Sequence, residues 1–432
     1  MRTKSPWLLT VGLAIYVALF VIRDIIQINV PGAIIMLWIV GVLLFVPRTE
    51  MMKAIFFIMP FASGFPGYII LFALVLLIVK SKKINAWQLM PPVIIALLEF
   101  ISVSFYDFDV RFQSVISYIG FVFLFFYILF DKDSQIDKRS YVRYFCYGTV
   151  ITLLIVYIPI IMNHGFFALI AGEARDGLAM GLENKEDALG HLVMNANTIA
   201  YFSISLLSLL LLGRNKLGIT SNLVYYFALF IAIAAGLLSF SRTWLMLTAV
   251  VVVVYVFNSR HRIVATILVI MSTSVIMTTQ NIVVESISGV FQTRMEDENM
   301  ETGNGRFDIF REYNQAWVES PKYVIMGAGA SNYRQALNQE YSMHNGLQQI
   351  WVCHGVIGFM IFLLAILKYM KSYRNRSLSF IYFLPFFACF IFDQSIQFLV
   401  PYTLMLPFLP TLYVLAFNNE GANRNVANLS KA

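Results

Sequence analysis

The stretch 341-YSMHNGLQQIWVCHGVIGF-359 begins as a polar turn, passes through His344 and Asn345, and becomes an apolar run that continues to Leu367. Apolar runs of about 17–25 residues are what cross a hydrocarbon core of roughly 30 Å. This one follows the longest polar stretch of the chain. A titratable pair at the mouth of a membrane helix raises two questions: what surrounds it, and what chemistry meets there.

Comparable runs recur along almost the whole length. Of 432 residues, 59% are hydrophobic and 13% charged, against roughly 25% charged in soluble domains, so the chain is a membrane protein. The run from Trp7 to Ile22 follows "MRTKS" without a small-residue cleavage site and reads as a first span rather than a signal peptide. The net charge of +7 does not point to nucleic acid, because the basic residues lie in short connectors between apolar runs. Cys146, Cys353 and Cys389 fall within or beside such runs, in neither a disulfide framework nor a metal-ligand spacing, and read as core residues.

The basic connectors set the topology. Placing residues 47–53, 80–83, 131–143, 213–216, 258–262 and 368–376 in the cytoplasm satisfies the positive-inside rule. The 54–79 run must then go out and return, bending at "PFASGFPG" (60–67), as two full spans or as a re-entrant hairpin. The expected fold is all-α and polytopic, with about 12–14 transmembrane helices and both termini inside. Four regions follow: 1–190, including an outer loop at 164–190; central spans at 191–281; a large helical extracytoplasmic loop at 282–343; and C-terminal spans at 344–432. Five basic and nine acidic residues make the segment 281–343 net acidic, as an outside loop is free to be.

Chemistry-bearing residues converge on the outer face. "LLSFSRTWLM" (237–246) puts Arg242 where one span ends outside and the next begins, against the charge bias. "GNGRFDIFREYNQAWVESP" (303–321) predicts a helix with Arg306 in its first turn and Phe307, Phe310, Asn314 and Trp317 along one side. A cation is disfavoured at that end, whereas a bound phosphate is favoured by both the free N–H groups and the dipole. His344 titrates near 6.5 when unperturbed and is suited to take a proton from a hydroxyl; Asn345 beside it is suited to orient one. His354, ten residues further along the same helix, is expected to be buried. Asn195 and Asn197 sit at the head of another span, where helix capping is the ordinary role. Asp107 and Asp109 form a weak metal-binding pattern, and 326-MGAGASNY-333 reads as a turn that closes one helix and starts a short one.

Together these stretches resemble the bacterial O-antigen polymerase/O-antigen ligase superfamily. The resemblance rests on "SR" at the outer end of a span, on "GR…W…SP…G.G" in a late outer loop, and on "HN" followed after nine residues by "GVIG" (355–358). "N.N" at 195–197 is similar to a further family element, and the matching core covers about residues 190–370. The resemblance implies a GT-C-like membrane glycosyltransferase in the bacterial cytoplasmic (inner) membrane, acting at the periplasmic face without metal or other cofactor. Its donor would be an undecaprenyl-diphosphate-linked oligosaccharide and its acceptor a glycan lipid. Carried onto this chain, Arg242 and Arg306 hold the diphosphate and His344 acts on the acceptor hydroxyl. Asn345, Asn197, Arg334 and Trp317 become substrate-binding residues. A flippase and a chain-length regulator are expected neighbours by resemblance.

The polymerase reading, for surface polysaccharide or exopolysaccharide, stands ahead of the ligase of lipopolysaccharide biosynthesis, which transfers to lipid A-core. A flippase or transporter stands behind both. Its pathway calls for charged residues scattered through several spans, and these spans look nearly charge-free, Asp393 being an exception.

Overall fold

The computed structural model describes residues 7–64, 68–81, 84–104, 112–131, 138–170, 192, 194, 196–217, 219, 221–258, 306–341, 343 and 345–372. The described residues form fourteen α-helices and no strand, as the apolar periodicity requires: in lipid, a helix satisfies its own backbone polar groups. The first half holds α1 (Trp7–Phe20), α2 (Gly32–Phe45), α3 (Arg48–Ile58), α4 (Tyr68–Val79), α5 (Ala86–Ser104), α6 (Phe112–Leu129) and α7 (Lys138–Ile170). The second holds α8 (Ala196–Leu217), α9 (Asn222–Leu238), α10 (Arg242–Asn258), α11 (Arg306–Val318), α12 (Pro321–Met326), α13 (Tyr333–Ala336) and α14 (Gly346–Ser372).

Among the described residues, three segments are both long and apolar enough to cross a membrane: Trp7–Ile25, Arg139–Asn163 and Gly346–Tyr369. Six further apolar helices, 10–17 residues long, stand beside them. This is a polytopic helical membrane protein. α1, α2, α3, α7, α8, α9 and α10 pack in one group, α5, α6, α11, α12 and α14 in another, and α4 bridges the two through α2 and α6.

Close helix approach rests on small residues, since lipid gives apolar surfaces no reason to associate. A Cβ on Gly148 of α7 would stand 2.1 Å from the Phe57 carbonyl of α3. The Trp38 indole donates to Gly12 O across α1 and α2 at 2.8 Å. Trp244 of α10 occupies the space a side chain at Gly236 would take, with the indole 2.0 Å from the position of such a Cβ. Its N–H donates to Ser203 Oγ (2.8 Å), which donates to Ala232 O (2.5 Å). α8, α9 and α10 are thereby tied through one buried hydroxyl.

Charges that two basic connectors supply meet at helix ends. Lys80 Nζ donates to the carbonyls of Leu43, Leu44 and Val46 at 2.7–2.9 Å, closing the C-terminus of α2 where the helix dipole is negative. Arg48 pairs with Asp131 at 2.9 Å. α3 continues into a 3-10 turn, Met59–Gly64. Its buried Phe61 meets Phe20 and Tyr16 with ring centroids 5.0 and 5.2 Å apart, so this turn packs on the C-terminal half of α1.

A Gly236→Leu substitution is expected to lower the thermal unfolding midpoint of the detergent-solubilised protein, because overpacking a filled contact costs about 1–3 kcal/mol or more. Gly41→Ala, where no atom lies within 4 Å of the added Cβ, is expected to leave that midpoint unchanged or slightly raised.

Candidate functional site

The segment 306–341 is built against the first turns of α14. α11 lies across them: Gln348 Nε2 donates to Phe310 O (2.7 Å), the Trp351 indole donates to Asn314 Oδ1 (3.2 Å), and Phe310 meets Trp351 edge-on at 6.4 Å. Fully buried Tyr313 sits at the centre of the contact. It donates to Tyr341 O at 2.5 Å and packs on Tyr333 with ring centroids 5.7 Å apart. Burial pushes its phenol well above the ordinary tyrosine pKa, so it remains a donor throughout the physiological range. Of the four aromatic and polar residues expected along one side of α11, Phe310, Asn314 and Trp317 are partly buried against these neighbours, while Phe307 is exposed.

Beyond α12 the chain does more than turn. α14 is interrupted at Gly355, whose φ of 62° and ψ of −170° are not helical. A helix carbonyl normally accepts from the N–H four residues on, so this interruption frees carbonyls upstream. Two are taken up by the loop: Val352 O accepts from Ala328 N (2.8 Å) and Cys353 O from Gly329 N (2.9 Å). Approach this close needs bare backbone. A Cβ on Gly355 would lie 2.3 Å from Ile325 O, and one on Gly327 would lie 2.1 Å from Cys353 O, both residues having positive φ. Irregular backbone at membrane depth is tolerated only where protein covers it, and α5 supplies the cover. Ser102 Oγ donates to Gly327 O (3.1 Å). The wholly buried Glu99 carboxylate accepts from Ala330 N (2.7 Å), Ser331 N (2.9 Å) and Ser331 Oγ (2.5 Å).

The residues singled out in the sequence fall as follows. Arg242 is the first residue of α10, after a tight turn in which Phe240 adopts a positive φ of 48°. Arg306 is the first residue of α11, and Asn197 lies in the first turn of α8. Each of the three thus starts a helix, at the positive end of its dipole. Asn345 is the N-cap of α14: its Oδ1 accepts from Gln348 N at 2.9 Å. Trp317 ties α11 to α12, donating to Tyr323 O at 2.8 Å, and exposed Arg334 donates to Glu340 O. His344, Asn195, Asp107, Asp109, Cys389 and Asp393 lie outside the described residues, as do the side chains of Arg242, Arg306 and Asn197. The packing brings the helix headed by Arg306 onto the helix that begins just after position 344, and the helix headed by Arg242 onto the one carrying Asn197.

α14 also concentrates buried polarity. Gln348 Oε1, Gln349 Oε1 and His354 Nδ1, with Asn332 Nδ2 in the adjoining loop, have no protein hydrogen-bond partner. Such atoms cost about 1–3 kcal/mol each unless something polar meets them. His354 is buried as expected, hydrogen-bonded through Nε2 to Tyr118 OH. Cys146 and Cys353 are buried core residues.

Glu99 and the buried Arg23–Asp24 pair (2.7 Å) correct the view of nearly charge-free spans. Asp24 also accepts from Leu192 N at 3.4 Å, fixing the chain just before α8. A single ionisable residue inside an apolar run was the available signal for Glu99, since such residues rarely persist in lipid without a partner.

Residues 227–363 match the family model described as O-antigen ligase. The likeness to that family is carried by this segment, about a third of the chain. No individual curated protein matches the chain. Arg242, Arg306, Trp317, Arg334, His344 and Asn345 all fall inside the matched segment, and Asn197 falls outside it.

If capping is the role of Asn345, the residue type that caps should matter more than the amide. Asn345→Ser and Asn345→Asp are expected to keep both stability and activity. Asn345→Ala should lose about 1 kcal/mol of stability, measurable as a lower unfolding midpoint in detergent.

Proposed function

We propose that the protein is a surface-polysaccharide polymerase, transferring a glycan from undecaprenyl diphosphate onto a sugar hydroxyl of a second lipid-linked repeat unit at the outer face of the cytoplasmic membrane. The observation that carries this reading is the docking of α11 on the outer turns of α14, inside the matched segment. It sets the helix that starts at Arg306 against the helix that starts two residues after His344.

In the proposed reaction the acceptor hydroxyl oxygen attacks the anomeric carbon of the donor. The bond from that carbon to the phosphate oxygen breaks, the hydroxyl proton passes to His344, and undecaprenyl diphosphate leaves. Arg242 and Arg306, each at a helix N-terminus, neutralise the charge that grows on the leaving diphosphate. Guanidinium forks match phosphate geometry, and fixed charges in a site shielded from water stabilise that charge by several kcal/mol. A positioned base adds roughly 10²–10⁴-fold. The donor arrives already activated, so the site needs neither a nucleotide fold nor a metal for this chemistry. Asn197, Trp317, Arg334 and Asn345 border the site, where they orient substrate or hold the elements that do. A ligase would use the same donor and the same residues with lipid A-core as acceptor.

Transport fits the buried charges less well. Arg23, Asp24, Glu99 and Asp131 are each held in a fixed contact with protein partners, whereas a conduction route needs polar groups that exchange partners with cargo.

Complementation of a strain lacking the gene, at matched protein level, tests the proposal by gel analysis of its glycans. Wild type is expected to restore a ladder, and His344→Ala to leave single repeats on core. Long chains stranded on undecaprenyl diphosphate would make the enzyme a ligase, and a wild-type ladder from the variant would rule out the base. With His344 as base, turnover should rise with pH as the neutral imidazole replaces imidazolium. His344→Ala should flatten that rise.

A further inference from the structure

We infer that Glu99 is a positioning residue for the transfer site: its carboxylate, inside the membrane on α5, seats the 327–331 turn against the interrupted α14 and so fixes α11 and the chain around position 344. What is positioned rests on the transferase reading above; the seat itself rests on contacts between described residues.

Each link is short. Glu99 accepts all three hydrogen bonds from Ala330 and Ser331, over separations of 231 and 232 residues. It lies five residues before the end of α5, which at 1.5 Å per residue is about 7–8 Å below the helix terminus. The turn it holds is confined on the other side by the Val352 and Cys353 carbonyls, and a Cβ on Gly329 would lie 2.9 Å from Ser102 Cβ. The turn therefore has one depth. From it, Gly329 O accepts from Tyr333 N at 2.9 Å, starting α13. The Tyr333 ring packs on Tyr313 of α11, and Tyr313 donates to Tyr341 O. Tyr341 and the cap residue Asn345 bracket position 344. A change of depth at the seat is thus passed to the helix headed by Arg306 and to the approach to α14.

The carboxylate is specific to this task. Ala330 N and Ser331 N present fixed donors to its two oxygens, so an isosteric amide must turn one N–H against one of them. Displacing a donor in this way costs a buried hydrogen bond and adds repulsion, and lifts the turn off the Val352 and Cys353 carbonyls. Buried Cys353 reports the lift independently of activity, because its carbonyl is one of the two that hold the turn.

The test uses the full chain in detergent with Cys146 and Cys389 replaced by Ala. The substrate is polyprenyl-diphosphate-linked oligosaccharide extracted from the host lacking the gene. Turnover and KM are measured beside maleimide labelling of Cys353, in wild type, Glu99→Gln, Ser331→Ala, the double variant and His344→Ala. Glu99→Gln is expected to lower turnover by roughly 10²-fold, the cost of about an ångström of misplacement, with KM nearly unchanged and Cys353 labelled faster. Ser331→Ala removes one donor and should give a milder form of both effects, adding little on top of Glu99→Gln because the two act through one contact. His344→Ala should lower turnover by roughly 10²–10⁴-fold while Cys353 stays protected. Wild-type turnover and protection in Glu99→Gln would overturn the proposal, as would lost turnover with Cys353 still protected. If Glu99→Gln does not fold, full additivity or unchanged turnover in Ser331→Ala overturns it instead. Should His344→Ala retain wild-type turnover, the transferase reading fails, and the seat stands or falls on Cys353 labelling alone.

Discussion

The outer half of the structure depends on the interruption of α14 at Gly355. An unbroken helix would keep the Val352 and Cys353 carbonyls for itself and leave the loop to lie in water. Because the helix breaks, those carbonyls accept the N–H groups of Ala328 and Gly329, and a polar turn becomes part of the membrane domain. The exchange is permitted because the turn is covered by α5 and because Gly327 and Gly355 place no side chain in the contact. α11, α12 and α13 then assemble on a base that is rigid where a loop would ordinarily be mobile.

Arg242 and Arg306 each start a helix, and α14 begins at an Asn345 cap. Helix N-termini favour anions through their free N–H groups and their dipole, so an arginine there, itself disfavoured by the dipole, adds a second attraction for a bound anion. The adjoining polar atoms of Asn332 Nδ2, Gln348 Oε1, Gln349 Oε1 and His354 Nδ1 are buried without a hydrogen-bond partner among the described residues. The match to O-antigen ligases over residues 227–363 covers these features and ends within α14.

Much of this was legible in the residue order, and particular residues show why. Runs of apolar residues between basic connectors predict helices whatever their partners, since in lipid the backbone has no alternative. Cys146, Cys353 and His354 read as buried because each sits inside such a run, and each is buried. The 326–333 stretch reads as a turn from its glycines alone. Its depth was not legible, because that is set by Glu99 more than 200 residues away and by a break at a glycine that looks like any other in a membrane helix. Arg23 and Asp24 were hidden for a similar reason: adjacent opposite charges at the end of a run look like a connector, whereas in the fold they neutralise each other under cover of Phe20. Asn345 reads in sequence as a residue that orients a hydroxyl, and the contact with Gln348 N gives it the role of a helix cap.

Tethering the turn at 327–331 to α5 has a consequence for how the protein meets different membranes. A loop suspended in water keeps its height whatever the bilayer does, but one pinned to an apolar helix of the bundle moves with it. Where the hydrocarbon layer thickens or thins, helices answer by tilting, and a tilt of α5 would carry α12, α13 and α11 along. A lipid-linked substrate is held at the headgroup level by its own tail and follows the same bilayer surface. Protein and lipid would then share one reference plane, so their alignment would survive changes in acyl-chain length that alter either depth alone.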